Sequence, residues 1–118
     1  MDFENLRAYI EKADIVGKNI FLINKPKKIK ADSNIVYNFR ETNGGKTIRD
    51  YQIDLRIISP NVLSVIDIKE KLINLLDFYN RPCDIEGIRV MKMLDGGGLA
   101  LNEETGEYNC FLYFSAKI

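Results

Sequence analysis

The stretch from Thr47 to Ser59 restricts the fold of this chain more than any other part of the sequence. Its apolar positions are Tyr51, Ile53, Leu55 and Ile57, and the positions between them are Gln52, Asp54 and Arg56. Successive side chains of a β-strand point to opposite faces of a sheet, so this alternation predicts a strand with one buried face. One such strand cannot bury its apolar side alone, and the chain must therefore build a sheet that is covered on one face.

A tight turn precedes this strand. The segment before Thr47 contains Asn-Gly and Gly-Gly, which accept the positive φ angles of a hairpin turn, and strand composition begins near Asn34. We therefore predict a β-hairpin. We expect its tip, from Glu41 to Thr47, to be mobile in the free protein and ordered on assembly, because it has little side chain to anchor it. The candidate assembly contacts are Asn43, Gly44, Gly45 and Lys46.

Two segments show the helical spacing of apolar residues. In residues 2 to 14 these are Phe3, Leu6, Tyr9, Ile10 and Ala13, and in residues 62 to 79 they are Val65, Ile68, Leu72, Leu75, Leu76 and Tyr79. We predict one amphipathic helix in each segment. Ser64 and Asp67 resemble a weak capping box at the start of the second helix, and Pro82 follows its end.

The remaining apolar runs predict further strands. Gly87 to Leu94 and Tyr108 to Lys117 have strand composition, Leu99 to Asn102 suits a brief pairing, and residues 20 to 23 fit either a strand or a packed connector. The last strand is apolar on both faces in its middle. We expect it to lie inside the sheet, or to have its second face covered by a helix or another subunit.

This order of elements predicts an α+β fold. We expect an antiparallel or mixed sheet of about four to six strands with two helices packed on it, in the order α-β-β-α-β-β with a further optional strand. A chain of 118 residues, 46% of them hydrophobic and 29% charged, fits a single domain over 1–118. The acidic start and the lack of an apolar run of about 18 residues predict a cytoplasmic protein. Cys83 is then expected to be a structural thiol and Cys110 a free thiol in the core.

The residue types of common catalytic sites are missing or scattered. The chain has no histidine, which removes the commonest general base, nucleophile partner and metal ligand. Glu103, Glu104 and Glu107 cluster near Asp95, but acidic residues in a turn ordinarily keep it soluble. Gly96-Gly97-Gly98 lacks the spacing of a phosphate-binding loop and fits a plain hinge. We therefore predict no enzyme, and no catalytic, cofactor or metal site.

A lysine-rich stretch surrounds Pro26. The candidate phosphate contacts are Lys25, Lys27, Lys28 and Lys30. They support an alternative hypothesis, a small nucleic-acid-binding or regulatory domain. However, the chain holds 17 basic and 17 acidic residues, so no overall field attracts nucleic acid, and a solvated loop is favoured. A third hypothesis is an enzyme subunit whose active site is completed by a partner.

Taken together, the elements resemble the tail terminator proteins of tailed bacteriophages, also called tail completion or head-tail joining proteins, and their relatives in prophages and phage-like bacteriocins. The resemblance covers the N-terminal helix, the hairpin opened by Asn34-Ile35-Val36-Tyr37, the stretch from Asp50 to Ile57, the helix from Val65 to Leu76, and the strand from Tyr108 to Phe114. The stretch YQIDLRIISPNVLSVIDIKEKLINLL carries most of it. These features describe a fold and include no catalytic motif.

The resemblance implies a structural assembly protein without a reaction. Such a protein would form a ring, expected to be hexameric, that caps the finished tail tube and provides the surface on which the head or collar docks. Its partners would be other copies of itself, the tail tube protein, the sheath where there is one, and a head-completion or collar protein, while DNA would only pass through the ring. It would be found in the cytoplasm of the bacterial host during assembly and then in the virion or tail particle, with no membrane contact.

Overall fold

The computed structural model describes residues 3–22, 33–44, 49–79, 81–94 and 97–118. The elements are α1 (Glu4–Lys12), β1 (Ile20–Leu22), β2 (Asn34–Gly44), β3 (Arg49–Ser59), α2 (Val62–Leu76), β4 (Val90–Met93), β5 (Leu99–Asn102) and β6 (Glu107–Lys117). The predicted α+β class is confirmed. The segment that fitted either a strand or a connector contains strand β1.

All these strands belong to one mixed sheet. Its order is β1-β2-β3-β6-β4, and β5 pairs with β6 on the side that also holds β4. β1 runs parallel to β2, whereas the other pairings are antiparallel. The predicted hairpin is β2 with β3, in which Asn34 lies opposite Ile58 and Gly44 opposite Arg49.

Both helices cover the same face of the sheet. The buried side chains of α1 and α2 are Leu6, Ile10, Val65, Ile68, Leu72 and Leu76, and they share one apolar cluster with the alternating residues predicted to be buried in β3. Phe3, which precedes α1, is fully buried, and its ring centroid lies 4.7 Å from that of Phe39 and 5.2 Å from that of Tyr51. Aromatic contacts of this kind hold the start of α1 against the hairpin.

The second helix ends three residues earlier than the apolar spacing predicts. Its last residue is Leu76, and Asp77 adopts an extended conformation. Phe78 then donates its N–H to the carbonyl of Met91 at 3.0 Å, so this segment lies against β4 instead of continuing the helix. At the other end Asn61 is the N-cap, and its side chain accepts a hydrogen bond from the Leu63 N–H; the capping box suggested by Ser64 is not used.

The last strand lies inside the sheet, as predicted. β3 pairs along one side of β6, and β4 and β5 share its other side. The core-facing residues Cys110, Leu112, Phe114 and Ala116 are buried. On the opposite face Phe111 and Tyr113 are only half-buried, so the helices cover one apolar side of this strand and leave the other partly open.

Candidate assembly surfaces

Most of the site residues predicted from sequence lie outside the described residues. Asn43 and Gly44 end β2, just after a register shift between Glu41 and Asn43. Gly45 and Lys46 fall in an undescribed part of the chain, and so do the four candidate phosphate contacts, Lys25, Lys27, Lys28 and Lys30. Their roles in assembly or in phosphate binding therefore remain predictions.

The side of the sheet away from the helices forms a mixed polar and aromatic surface, which we call the open face. Its central residues are Val36, Asn38, Arg40, Gln52, Asp54, Arg56, Phe111, Tyr113 and Ser115. Arg40 Nη2 donates to Gln52 Oε1 at 2.8 Å, and Gln52 Nε2 donates to Asp54 Oδ1 at 2.9 Å. This chain of hydrogen bonds fixes the Gln52 amide between a cation and a carboxylate.

Arg56 occupies the centre of the open face. It lies between Val36 and Phe111 on the neighbouring strands, and its Nε is buried without a hydrogen-bond partner among the described residues. A shallow depression of about 210 Å³ surrounds it, lined by Val36, Asn38, Asp54, Arg56, Phe111 and Tyr113. An arginine surrounded by apolar and aromatic side chains is typical of a surface that another protein covers.

A second candidate surface is the outer edge of β5. Every residue of this strand is exposed, including Leu99 at 47% and Leu101 at 50%. Phe111 donates its N–H to the Gly98 carbonyl, so Ala100 and Asn109 form the next hydrogen-bonded pair. The N–H and C=O groups of Leu99 and Leu101 consequently point away from β6.

The other edges of the sheet differ in how far they are covered. Phe78 and Asp77 cover β4, because the Met91 carbonyl accepts from Phe78 N–H and the Asp77 carboxylate accepts from Met93 N–H at 3.3 Å. At the opposite side β1 is the outermost described strand. Within the described part of the chain, β1 and β5 are thus the two edges that no other segment pairs with.

The carboxylates considered as a catalytic cluster are spread out. Glu103 and Glu104 are exposed in the turn between β5 and β6, Glu107 is half-buried at the start of β6, and Asp95 lies outside the described residues. Among residues that the structure describes, no group of three or more His, Cys, Asp or Glu side chains could hold a metal ion. Nor does any described helix combine the length and the apolar character needed to cross a bilayer.

Both cysteines are free thiols with raised pKa values. Burial raises the pKa of Cys110, which lies in the core, although Lys69 acts in the opposite direction. Burial also raises the pKa of Cys83, while a backbone hydrogen bond at Ile85 lowers it in part. Because the thiolate is the nucleophilic form, both environments make these thiols less reactive.

Tyr9 connects the first helix to the segment before β4. Its hydroxyl donates to Asp84 Oδ1 at 2.7 Å, and Asn5 Nδ2 donates to the Glu86 carbonyl at 3.1 Å. Burial, followed by the hydrogen bond to Asp84, raises the pKa of Tyr9. This contact stabilises the position of α1.

Sequence reasoning missed both candidate surfaces. The Leu-Ala-Leu-Asn of β5 was recognised as a short strand, but its full exposure depends on which strands lie beside it. The burial of the Arg56 Nε atom likewise depends on the cross-strand neighbours Val36 and Phe111. The one sequence signal was the apolar character of the last strand on both faces.

No protein-family model matches this sequence, and no curated protein sequence matches it. Its fold is similar to that of a chain in the solved structure titled "Virion of native gene transfer agent (GTA) particle". The TM-score is 0.70 at 14% sequence identity, and the match covers 98% of this chain and 89% of that chain. At this identity the likeness establishes a shared fold along nearly the whole length of both chains.

Proposed function

We propose that this chain is a structural protein of a phage-like particle. The observation that carries this proposal is the end-to-end likeness of its fold to a chain of a gene transfer agent virion. Since the match spans 98% of the chain, the whole fold, and not a common fragment of it, is shared with a virion component. The proposal includes no catalytic reaction.

Within such a particle we propose the role of tail terminator. The chain would form a hexameric ring that caps the tail tube and offers a docking surface to the head or collar. Two features support a role in assembly: the open face, with Arg56 held between apolar side chains, and strand β5, every residue of which is exposed. A ring of identical subunits needs two different surfaces on each copy, and both features could serve.

The proposed partners follow from this role. They are further copies of the chain, the tail tube protein, the sheath in a contractile tail, and a head-completion or collar protein. Assembly would take place in the cytoplasm of the bacterial host, and the protein would then remain in the particle. DNA would pass through the ring without sequence-specific binding.

The test is a deletion of the gene in the bacterium that makes the particle, followed by electron microscopy and by mass spectrometry of purified particles. We expect the protein in wild-type particles, and tails without heads in the deletion strain. Complementation with the wild-type gene should restore joined particles. Gold labelling of an epitope-tagged chain should mark the end of the tail that faces the head.

Different outcomes separate the general role from the specific one. If the protein is absent from purified particles and the deletion strain makes normal ones, a structural role in the virion is wrong. If the protein is present but the label marks the capsid or the far end of the tail, it is a virion protein of another kind. Light scattering and negative-stain images of the purified chain would show whether rings also form without the tail.

A further inference from the structure

We propose that adjacent copies in the ring join their sheets edge to edge, with β5 of one copy pairing antiparallel to β1 of the next. This inference rests on the ring proposed above and identifies its contact surface. It commits to a second copy of this chain as the occupant of the β5 edge.

The β5 edge is open to an added strand. Leu99 and Leu101 direct their backbone N–H and C=O groups away from β6, and the strand contains no proline, bulge or charged residue. Natural sheets usually protect a free edge with one of these features or by keeping the edge strand very short, because unpaired backbone groups attract another strand; β5, with four residues, has only its shortness. The neighbouring edge of β4 is covered by Asp77 and Phe78, so the same molecule has one covered edge and one exposed edge beside β6.

The complementary edge is β1. The Asn19 carbonyl accepts from Ile35 N–H on β2, so in β1 the alternate residues Ile20 and Leu22 present backbone groups outward. The Ile20 carbonyl and both backbone groups of Leu22 face that side, while the Ile20 N–H donates to the Lys18 carbonyl. Within the described residues, each copy therefore carries two different unpaired edges at opposite sides of one sheet.

The two edges lie at the same level and have suitable directions. A single row of cross-strand neighbours leads from β1 to β5 through Ile20, Ile35, Ile57, Cys110 and Leu99. β1 is parallel to β2, and each of the three following pairings reverses direction, so β5 runs antiparallel to β1. A sheet continued from one copy to the next would consequently make an antiparallel pair, which is the more stable kind.

One register matches the side chains. With Ile20 opposite Leu101, Leu22 lies opposite Leu99, and these four apolar residues share the helix side of the sheet. Leu22 is 42% exposed and Leu99 47% exposed in the single chain, so the pairing would cover apolar area on both. Cross-strand apolar pairs stabilise a sheet.

The same register brings opposite charges together. Exposed Lys18, two residues before Ile20, would face exposed Glu103, two residues after Leu101. A surface ion pair adds little affinity, but it disfavours registers and partners that place like charges together. Because the contact joins two unlike edges, it is head-to-tail, and such contacts close into rings when the rotation between copies permits.

The test is crosslinking of the full chain carrying Leu22→Cys and Leu99→Cys. Cα atoms of a hydrogen-bonded antiparallel pair lie about 5.5 Å apart, within the range of about 4.4–6.8 Å that a disulfide bridges. Mild oxidation should produce a ladder of dimers, trimers and larger species from the double variant. An equal mixture of the two single variants should stop at dimers, and each single variant alone should match the wild type, which carries the native thiols.

A matched pair of lysine substitutions tests the edge without cysteine chemistry. Leu99→Lys should weaken self-association at least about tenfold in sedimentation equilibrium, since a charge on a free edge opposes strand addition. Leu63→Lys places the same charge at a more exposed leucine of α2, 72% exposed, and should leave self-association unchanged. Circular dichroism of both variants checks that they fold.

Several outcomes would overturn the inference. One is a wild type that stays monomeric across the concentration series with no ladder from the double variant. Others are dimers from Leu22→Cys alone, a ladder equally strong with Leu22→Cys and Leu63→Cys, and equal effects of the two lysines. Rings seen without the Leu22–Leu99 crosslink would leave the tail terminator role standing and refute only this contact. A ladder from a protein whose label never marks the tail end would support this contact and refute the tail terminator role.

Discussion

Asn34 is an unusual residue because its polar side chain is fully buried and neither amide atom has a hydrogen-bond partner among the described residues. It lies at the start of β2, opposite Ile58. A buried amide without partners costs free energy, because it has lost its hydrogen bonds to water.

We predict that Asn34→Leu, which keeps the branched shape of the side chain and removes the amide, raises the free energy of unfolding by about 1 kcal/mol. Urea unfolding monitored by circular dichroism measures this difference. Asn38→Leu, on the same side of the same strand but exposed, is the control; it removes the hydrogen bond that Asn38 Oδ1 accepts from Phe39 N–H and should lower stability by about 0.5–1.5 kcal/mol. A loss of stability in Asn34→Leu would show that Asn34 is hydrogen-bonded in solution.

The raised pKa of Cys110 predicts how the stability of the protein changes at alkaline pH. A raised pKa means that the native state holds the thiol proton more tightly than the unfolded state. The contribution to stability is complete below the pKa of the unfolded thiol and decreases as the pH rises from there through the higher native pKa. In a Cys83→Ser variant, where Cys110 is the remaining thiol, we expect slow reaction with a thiol reagent at pH 8 and fast reaction after denaturation. Fast native reaction would mean that the core around Cys110 opens readily.

At the scale of elements, the connection between β4 and β5 depends on a close approach to β6. A Cβ atom added at Gly97 would lie 2.6 Å from Phe111 Cβ and 3.1 Å from the Phe111 carbonyl oxygen. At Gly98 an added Cβ would meet nothing within 4 Å. Gly97 therefore has a packing role, because its lack of a side chain lets the backbone lie close to β6.

This difference predicts unequal effects of two neighbouring substitutions. Gly97→Ala should lower the free energy of unfolding by about 1–3 kcal/mol, because the backbone of β6 cannot move away from the added methyl group cheaply. Gly98→Ala should change it by less than about 0.5 kcal/mol. Thermal and urea unfolding of both variants decide the matter, and similar values for the two would contradict the close packing of Gly97 on Phe111.

At the scale of the whole molecule, the balance of 17 basic and 17 acidic residues bears on the nucleic-acid hypothesis. Binding that relies on phosphate contacts strengthens with the number of cations aligned on the nucleic acid, and the affinity of about four contacts falls steeply towards physiological salt. We therefore expect weak, unspecific DNA binding that is nearly lost at about 150 mM salt.

A mobility-shift titration at several salt concentrations tests this expectation. The wild type is compared with a variant in which Lys25, Lys27, Lys28 and Lys30 are all changed to Ala. Tight binding by the wild type at moderate salt, lost in the variant, would support the regulatory or nucleic-acid-binding alternative and contradict a purely structural role.

The class of the fold and most of its helices and strands were predictable from the sequence. The alternation from Tyr51 to Ile57 identified β3 and its buried face, and the helical spacing of Val65, Ile68, Leu72 and Leu76 identified the core side of α2. These patterns are readable because each side chain's direction follows from the period of its own element. The apolar faces of β6 left open whether it lies inside the sheet or has its second face covered, and the pairing with β3, β4 and β5 places it inside.

Tertiary structure alone decided where α2 ends and which surfaces remain free. Nothing near Leu76 stops a helix locally, and Asp77 and Phe78 leave it because β4 offers hydrogen bonds that residues far along the chain supply. Leu99 and Leu101 look like core residues in the sequence, yet they are exposed because no described strand lies beyond β5. Burial and edge position depend on contacts between distant segments, and hydrophobic periodicity within one segment carries no information about what lies beside it.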